Sequence, residues 1–173
     1  MAPNTATTFV FIRPLLLILI GLSIVLTAAA LFSPSWRGNV GLITRDCSNV
    51  YIPPGQCGQW WDYQPFWLRS VIVLMIISLA TEILILLWAT LAFLGICLPP
   101  KTYIPLALLC GLSTILLITS IILYALKDWR EINGYINNPT LGYSFWTAVV
   151  ASIIMISATF VACGIAGLVK LAI

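Results

Sequence analysis

The chain has 173 residues, of which 61% are hydrophobic and only 8% are charged, with a mean hydropathy of +1.08. Soluble domains carry about 25% charged residues, so this composition excludes an ordinary soluble protein and indicates one embedded in a membrane. The formal net charge of +3 comes from Lys and Arg residues that stand singly along the chain, and nucleic acid is therefore not an expected partner.

Four long apolar runs follow one another along the chain. A helix needs about 20 apolar residues to cross a bilayer, and the runs predict an antiparallel bundle of four membrane-spanning helices at about 14–32, 70–98, 103–126 and 142–169. Pro14 suits the start of the first helix, because proline is tolerated in a first helical turn. A cleaved signal peptide is the alternative for this run, but the run is longer than the usual signal core.

The connections give the topology. Only residues 99–102 separate the second and third runs, so these two helices must be antiparallel neighbours. The polar segments 33–69 and 127–141 then lie on the side opposite both termini. Lys and Arg do not show the usual cytoplasmic excess, whereas a cysteine pair in a polar loop persists as a disulfide only outside the cytoplasm. We therefore expect a plasma-membrane protein with both termini in the cytoplasm.

Segment 33–69 is predicted to fold as a small extracellular cap. Residues 40–43 and 48–52 favour β-strands, and Pro and Gly follow at 53–55 as a turn. Cys47 and Cys57 are predicted to form a disulfide that pins this sheet, which would stabilise it by somewhat under ~3 kcal/mol. Two unpaired thiols are the alternative. The expected fold is thus an all-α four-helix membrane bundle with a disulfide-pinned β-sheet cap in the first loop.

Five aromatic residues crowd together just before the second span. Phe66 and Trp67, next to the helix, fit an aromatic belt at the lipid headgroup level. Trp60, Trp61 and Tyr63 fit such a belt equally well, or form a protein-contact surface, because aromatic residues dominate binding hot spots.

Glu82 is the only acidic or basic residue deep in a span. A charge there is expensive and marks a functional position or a partner contact, unless the carboxyl is protonated and bonded to a Ser or Thr across the bundle. Ser78, one turn away, is the nearest useful companion in sequence. Gly164 and Gly167 in the fourth span permit close helix approach, and together with Glu82 they are predicted as an intramembrane partner contact.

Enzyme chemistry is not expected. The chain has no histidine, no CxxC motif and no phosphate-binding glycine loop, so no catalytic residue, cofactor or metal site is predicted. Cys97, near the end of the second span, is a candidate for palmitoylation, although a small buried residue is the simpler interpretation.

Several local patterns together resemble the superfamily of claudins, peripheral myelin proteins and epithelial membrane proteins. Segment 33–36 resembles the tryptophan motif after the first helix, and 142–146 resembles the opening of the fourth helix. The glycine and leucine before the two cysteines resemble the family signature, although Ile43 stands where the family has tryptophan. The signature positions in this chain are Trp36, Gly41, Leu42 and Arg69.

The resemblance implies a structural protein of cell–cell contacts. Its caps would bind like molecules within one membrane and across two membranes, and such contacts could form a paracellular barrier. The alternative is an accessory subunit that packs beside an ion channel or receptor and modulates its trafficking or gating. Under either hypothesis the partners are the lipid bilayer and another membrane protein.

Overall fold

The computed structural model of the chain describes residues 5–36, 41–43, 65–94, 103–132 and 141–171. These residues contain four long helices: α1 (Thr5–Phe32), α2 (Phe66–Phe93), α3 (Tyr103–Ile132) and α4 (Tyr143–Leu171). Each contains a segment long and apolar enough to cross a membrane, at Ile12–Phe32, Phe66–Phe93, Ile104–Lys127 and Tyr143–Gly167. The prediction of an all-α bundle with four spans is confirmed.

Two helix starts differ from their predicted positions. α1 begins at Thr5, so Pro14 lies inside the helix rather than in its first turn, and the apolar helix continues past the single hydrogen bond that proline removes. α2 begins four residues early at Phe66, directly after Pro65. Pro65 has an extended backbone (φ −61°, ψ 147°), as suits a residue that caps a helix.

α3 extends beyond its predicted end. The apolar run stops at Leu126, yet the helix continues to Ile132. Lys, Arg and Glu in the added turns are good helix formers, so the backbone stays helical after the hydrophobic pattern has ended. Part of the predicted segment 127–141 is therefore helix, not loop.

The helices form a closed four-membered ring. α2 packs on α1 and α3, α3 packs on α4, and α4 packs back on α1. We call the end where α1 stops and α2 starts the loop end, and the end where α1 starts and α2 stops the terminal end. This up-down arrangement follows because successive spans cross the bilayer in opposite directions.

Small residues let α4 approach its neighbours closely. Along one face of α4, buried alanines recur with the spacing of helical turns, around the buried Met155. Helices in a membrane associate by close packing, which small side chains permit. Alanine therefore performs the packing role that the sequence suggested for glycine; the alanines are Ala148, Ala151, Ala158 and Ala162.

The outward faces of the helices are apolar. An exposed hydrophobic surface of this kind suits hydrocarbon rather than water. Leucine, isoleucine and valine side chains supply most of it, for example Ile18, Val25, Leu84, Leu108, Ile115 and Ile153.

Most of the predicted cap lies outside the described residues, including Cys47, Cys57, Trp60, Trp61 and Tyr63. The disulfide, the contact surface and the sheet as a whole therefore stay predictions, as does palmitoylation of Cys97. The described part of the first predicted strand, residues 41–43, is not a strand. The backbone bends there, and the Leu42 side chain is fully buried in the core of the bundle.

Candidate functional site

Four aromatic rings pack together at the loop end. Trp36, Trp67, Tyr124 and Phe145, which we call the aromatic cluster, come from the segment after α1, from α2, from α3 and from α4. The Trp36 ring lies edge-on to Tyr124 at 4.8 Å between centroids and to Phe145 at 6.1 Å. Trp67 lies 6.0 Å from Tyr124. Such edge-to-face pairs are favourable beyond their area burial.

Trp36 is the centre of this cluster. Its side chain is 1% exposed, and its indole Nε1–H donates to the Ala30 carbonyl oxygen at 2.6 Å. A buried tryptophan needs a partner for its N–H group, and the last turn of α1 supplies a carbonyl without an intrahelical donor. The bond folds the chain back onto the bundle immediately after α1.

Backbone hydrogen bonds join this segment to the start of α4. The Gly142 N–H donates to the Trp36 carbonyl at 2.9 Å, and the Ser144 N–H donates to the Ser35 carbonyl at 3.2 Å. The Ser144 N–H is one of the first amides of α4, which have no partner within their own helix. We call this pair of bonds, together with the 2.6 Å hydrogen bond between the Ser33 and Tyr143 hydroxyls, the α1–α4 tie.

Gly142 is the position where the tie is tightest. A Cβ atom there would overlap the Ser35 carbonyl oxygen and lie 2.6 Å from the Ser35 carbonyl carbon. The opposing atoms are backbone, so they cannot rotate away. Glycine is therefore required by the close approach of two backbone segments.

The predicted signature positions all lie at this end. Trp36, Gly41 and Leu42 are buried, and Arg69 is partly buried in the first turn of α2. The two residues assigned to an aromatic belt differ from each other. Phe66 is 84% exposed, as a belt residue would be, whereas Trp67 packs partly against the core.

A second cluster of polar side chains lies in the middle of the bundle. The Glu82 Oε1 atom accepts hydrogen bonds from Ser23 Oγ at 3.2 Å and from Thr27 Oγ1 at 3.3 Å, both on α1. One turn from Glu82, the Ser78 hydroxyl pairs with the Ser113 hydroxyl of α3 at 3.1 Å. We call these five residues the polar cluster.

The cluster shows which of the expected partners Glu82 uses. Its bonded groups are Ser and Thr hydroxyls across the bundle, whereas Ser78, the companion expected from sequence, bonds to α3 instead. The single O–H of Ser23 is shared between Glu82 Oε1 and the Ala151 carbonyl of α4, which lies 3.5 Å from Ser23 Oγ. Glu82 is 0% exposed, so in this structure its carboxyl group faces the other helices and not a partner outside the bundle.

A basic side chain of α1 lies against α2 at the terminal end. The Arg13 guanidinium lies over the Phe93 ring, 5.7 Å from its centroid, within the range of a cation–π contact. In the described part of the chain, no three His, Cys, Asp or Glu side chains come together as a metal site.

The two glycines of the predicted partner contact lie on the open side of α4. A Cβ atom at Gly164 or Gly167 would meet nothing within 4 Å, and the same is true of Gly21 on α1. The glycines therefore do not serve packing between the four helices. Cys163 beside them is exposed, whereas Cys110 of α3 is buried.

Sequence reasoning missed most of the partners in both clusters. Phe145 lies in the motif that resembles the opening of the fourth family helix, so a signal for it existed. Tyr124 lies in an apolar run with no distinguishing pattern. Ser23 and Thr27 are separated from Glu82 by more than 50 residues, and only the fold brings them together.

The four apolar helices define a multi-pass membrane protein. Residues 6–169 match the model of a family described as "Tight junction protein, Claudin-like". The match covers most of the chain, and the chain belongs to this claudin-like family. Comparisons with curated proteins and with solved structures gave no match.

Proposed function

We propose that this claudin-like protein organises cell–cell contacts, with segment 33–69 as its recognition element. The family match over 6–169 carries the proposal. The geometry of the loop end supports it, because the segment leaves the bundle from a fixed base. A recognition loop held on a rigid scaffold loses less conformational entropy on binding.

The α1–α4 tie gives that base a second property. The hydrogen bonds of Trp36 and Ser35 join the start of the first loop to Gly142 and Ser144, where the second loop ends. The start of the first loop and the end of the second therefore share one attachment point, next to the aromatic cluster. We infer that they present one combined surface to a neighbouring molecule, in which Trp60, Trp61 and Tyr63 are the contact residues.

A mixed-cell assay tests this function. Tagged protein is expressed in non-adherent cells plated beside expressing or non-expressing neighbours. Enrichment at borders only where both cells carry the protein supports binding between caps. A uniform distribution of the protein over the cell surface, even between two expressing cells, would contradict binding between caps.

Tryptophan-to-alanine variants at two places in the chain sharpen the assay. Replacing Trp60 and Trp61 with Ala is expected to abolish border enrichment, whereas Trp146→Ala, on the exposed face of α4, should leave it intact.

The Cys47→Ser protein is expected to be retained in the secretory pathway if the disulfide holds the cap. Normal delivery of that variant to the surface would contradict the disulfide proposal.

A second function, as an accessory subunit beside a channel or receptor, is favoured by the open space at Gly164 and Gly167. Glycines on an exposed face let another helix approach closely. Gly164→Leu and Gly167→Leu should weaken co-purification with one large partner, whereas Gly21→Leu, equally open but on α1, should not. If all three variants retain the partner, this function fails. A part for Glu82 in that contact stays a prediction.

A further inference from the structure

The two oxygens of the Glu82 carboxyl group have different surroundings. Oε1 accepts hydrogen bonds from Ser23 and Thr27. Oε2 is equally buried and has no hydrogen-bond partner among the described residues. A buried polar atom without a partner is costly, and in native structures such an atom is commonly satisfied by a bound water or ion.

Two serine hydroxyl groups join α2 to α3 one turn from Glu82. Ser78 is one turn before Glu82 on the same face of α2, and its hydroxyl bonds to Ser113 Oγ and to the Ser113 carbonyl. The Ser113 side chain also lies beside the Glu82 carboxyl group. Each hydroxyl can donate one hydrogen bond and accept two, so the Ser78–Ser113 pair keeps unused acceptor capacity one turn from the Glu82 carboxyl group.

Charge decides the form of the carboxyl group. Glu82 is the only buried acidic or basic side chain in the described parts of the four helices. The guanidinium of Arg13 lies at the terminal end, over Phe93. An ionised carboxylate without a nearby countercharge is expensive in hydrocarbon, whereas a neutral carboxylic acid has one acceptor oxygen and one O–H donor.

We propose that Glu82 is a neutral carboxylic acid whose Oε2–H group, together with the Ser78–Ser113 hydroxyl pair, binds a single buried water molecule. Water suits this place because it accepts from Oε2–H and donates to hydroxyl oxygens, giving it the two to four polar partners that buried waters have. Oε1 then joins α2 to α1, and the water joins α2 to α3. A sodium ion beside a carboxylate is the competing ligand.

Infrared spectra of the purified protein in lipid nanodiscs at neutral pH test the protonation state. We expect a carbonyl stretching band of a protonated carboxyl group that is lost in Glu82→Gln. The matched control Glu131→Gln, the same chemical change at the end of α3, should retain the band. Absence of the band from the unmodified protein would overturn the proposal.

Spectra in water labelled with heavy oxygen test the ligand. We expect an O–H stretching band that shifts with the label and is lost in Ser113→Ala, while Thr119→Ala, an exposed hydroxyl of the same helix bonded to its own backbone, retains it. If Ser113→Ala leaves the labelled band unchanged, or no labelled band exists, the water site is wrong.

Melting temperatures separate water from sodium. Sodium chloride and choline chloride at equal ionic strength should give the same melting temperature, and Glu82→Gln should melt within a few degrees of the unmodified protein, since an amide preserves one acceptor and one donor. A rise specific to sodium that disappears in Glu82→Gln would overturn the proposal in favour of a sodium site.

Discussion

The loop end and the middle of the bundle are held together by different forces. At the loop end, aromatic rings and backbone hydrogen bonds fix segment 33–36 against α4. In the middle, side-chain hydrogen bonds around Glu82 join α2 to α1 and α3. Ring packing depends on shape, whereas hydroxyl bonds depend on polarity. Changes in side-chain size at the loop end should therefore lower the stability of the protein. In the polar cluster, changes in polarity at constant size should do so.

Trp36→Ala is the largest test of the loop end. The change removes a fully buried ring together with the hydrogen bond to Ala30, and replacing a buried aromatic with alanine costs about 3–5 kcal/mol. We expect a loss of that size in the free energy of unfolding, measured by titrating micelles with a denaturing detergent. Trp146→Ala, at an exposed position, is the matched control. A similar loss in both variants would contradict the special role of Trp36.

Gly142→Ala tests the α1–α4 tie with a single methyl group. The new Cβ would overlap the Ser35 carbonyl, and the two backbones must separate to admit it. Overpacking of this kind costs about 1–3 kcal/mol. We expect the variant to have a lower melting temperature. In intact vesicles, we also expect a protease to cleave its loops faster than those of the unmodified protein. Unchanged values would show that the two segments are not held at this distance.

The contrast between the two regions also explains what the sequence could predict. The four spans follow from apolar runs long enough to cross a bilayer, and each is a helix in the structure. Helix ends were less predictable, because Pro14 is tolerated inside α1 and the polar turns after Leu126 stay helical. Hydropathy reports the environment of a segment, not where its backbone stops being helical.

Side-chain partners were harder to predict than spans. The sequence singles out Trp36 and Glu82 because a motif tryptophan and a carboxyl group in a span are each unusual. The sequence does not show that Tyr124 packs on Trp36 or that Thr27 bonds to Glu82. Those contacts depend on how each helix is rotated about its own axis. The spans are apolar on almost every side, so the sequence pattern does not show which side of a helix faces the bundle.

Thr27→Val tests the polar cluster at nearly constant volume. The change removes one hydrogen bond to Glu82 Oε1 and retains the shape of the side chain. Hydrogen bonds between membrane helices contribute on average about 0.6 kcal/mol, so we expect a loss of that order in the free energy of unfolding. Thr147→Val is the control, because the Thr147 hydroxyl donates to the carbonyl oxygen of Tyr143 within its own helix. Equal losses in both would remove the evidence for a bond across the bundle.

Gly164→Ala should have the smallest effect and the opposite sign to Gly142→Ala. The same methyl group is added, but at Gly164 it meets nothing within 4 Å. Alanine is also the better helix former, by up to about 1 kcal/mol, so the melting temperature should stay constant or rise slightly. The two glycines thus differ in their surroundings and in their position, since Gly142 lies just before α4 and Gly164 lies within it. If Gly164→Ala instead lowers the melting temperature of the purified protein, α4 packs against something on that face even without a partner, and a second copy of the chain becomes the first molecule to test there.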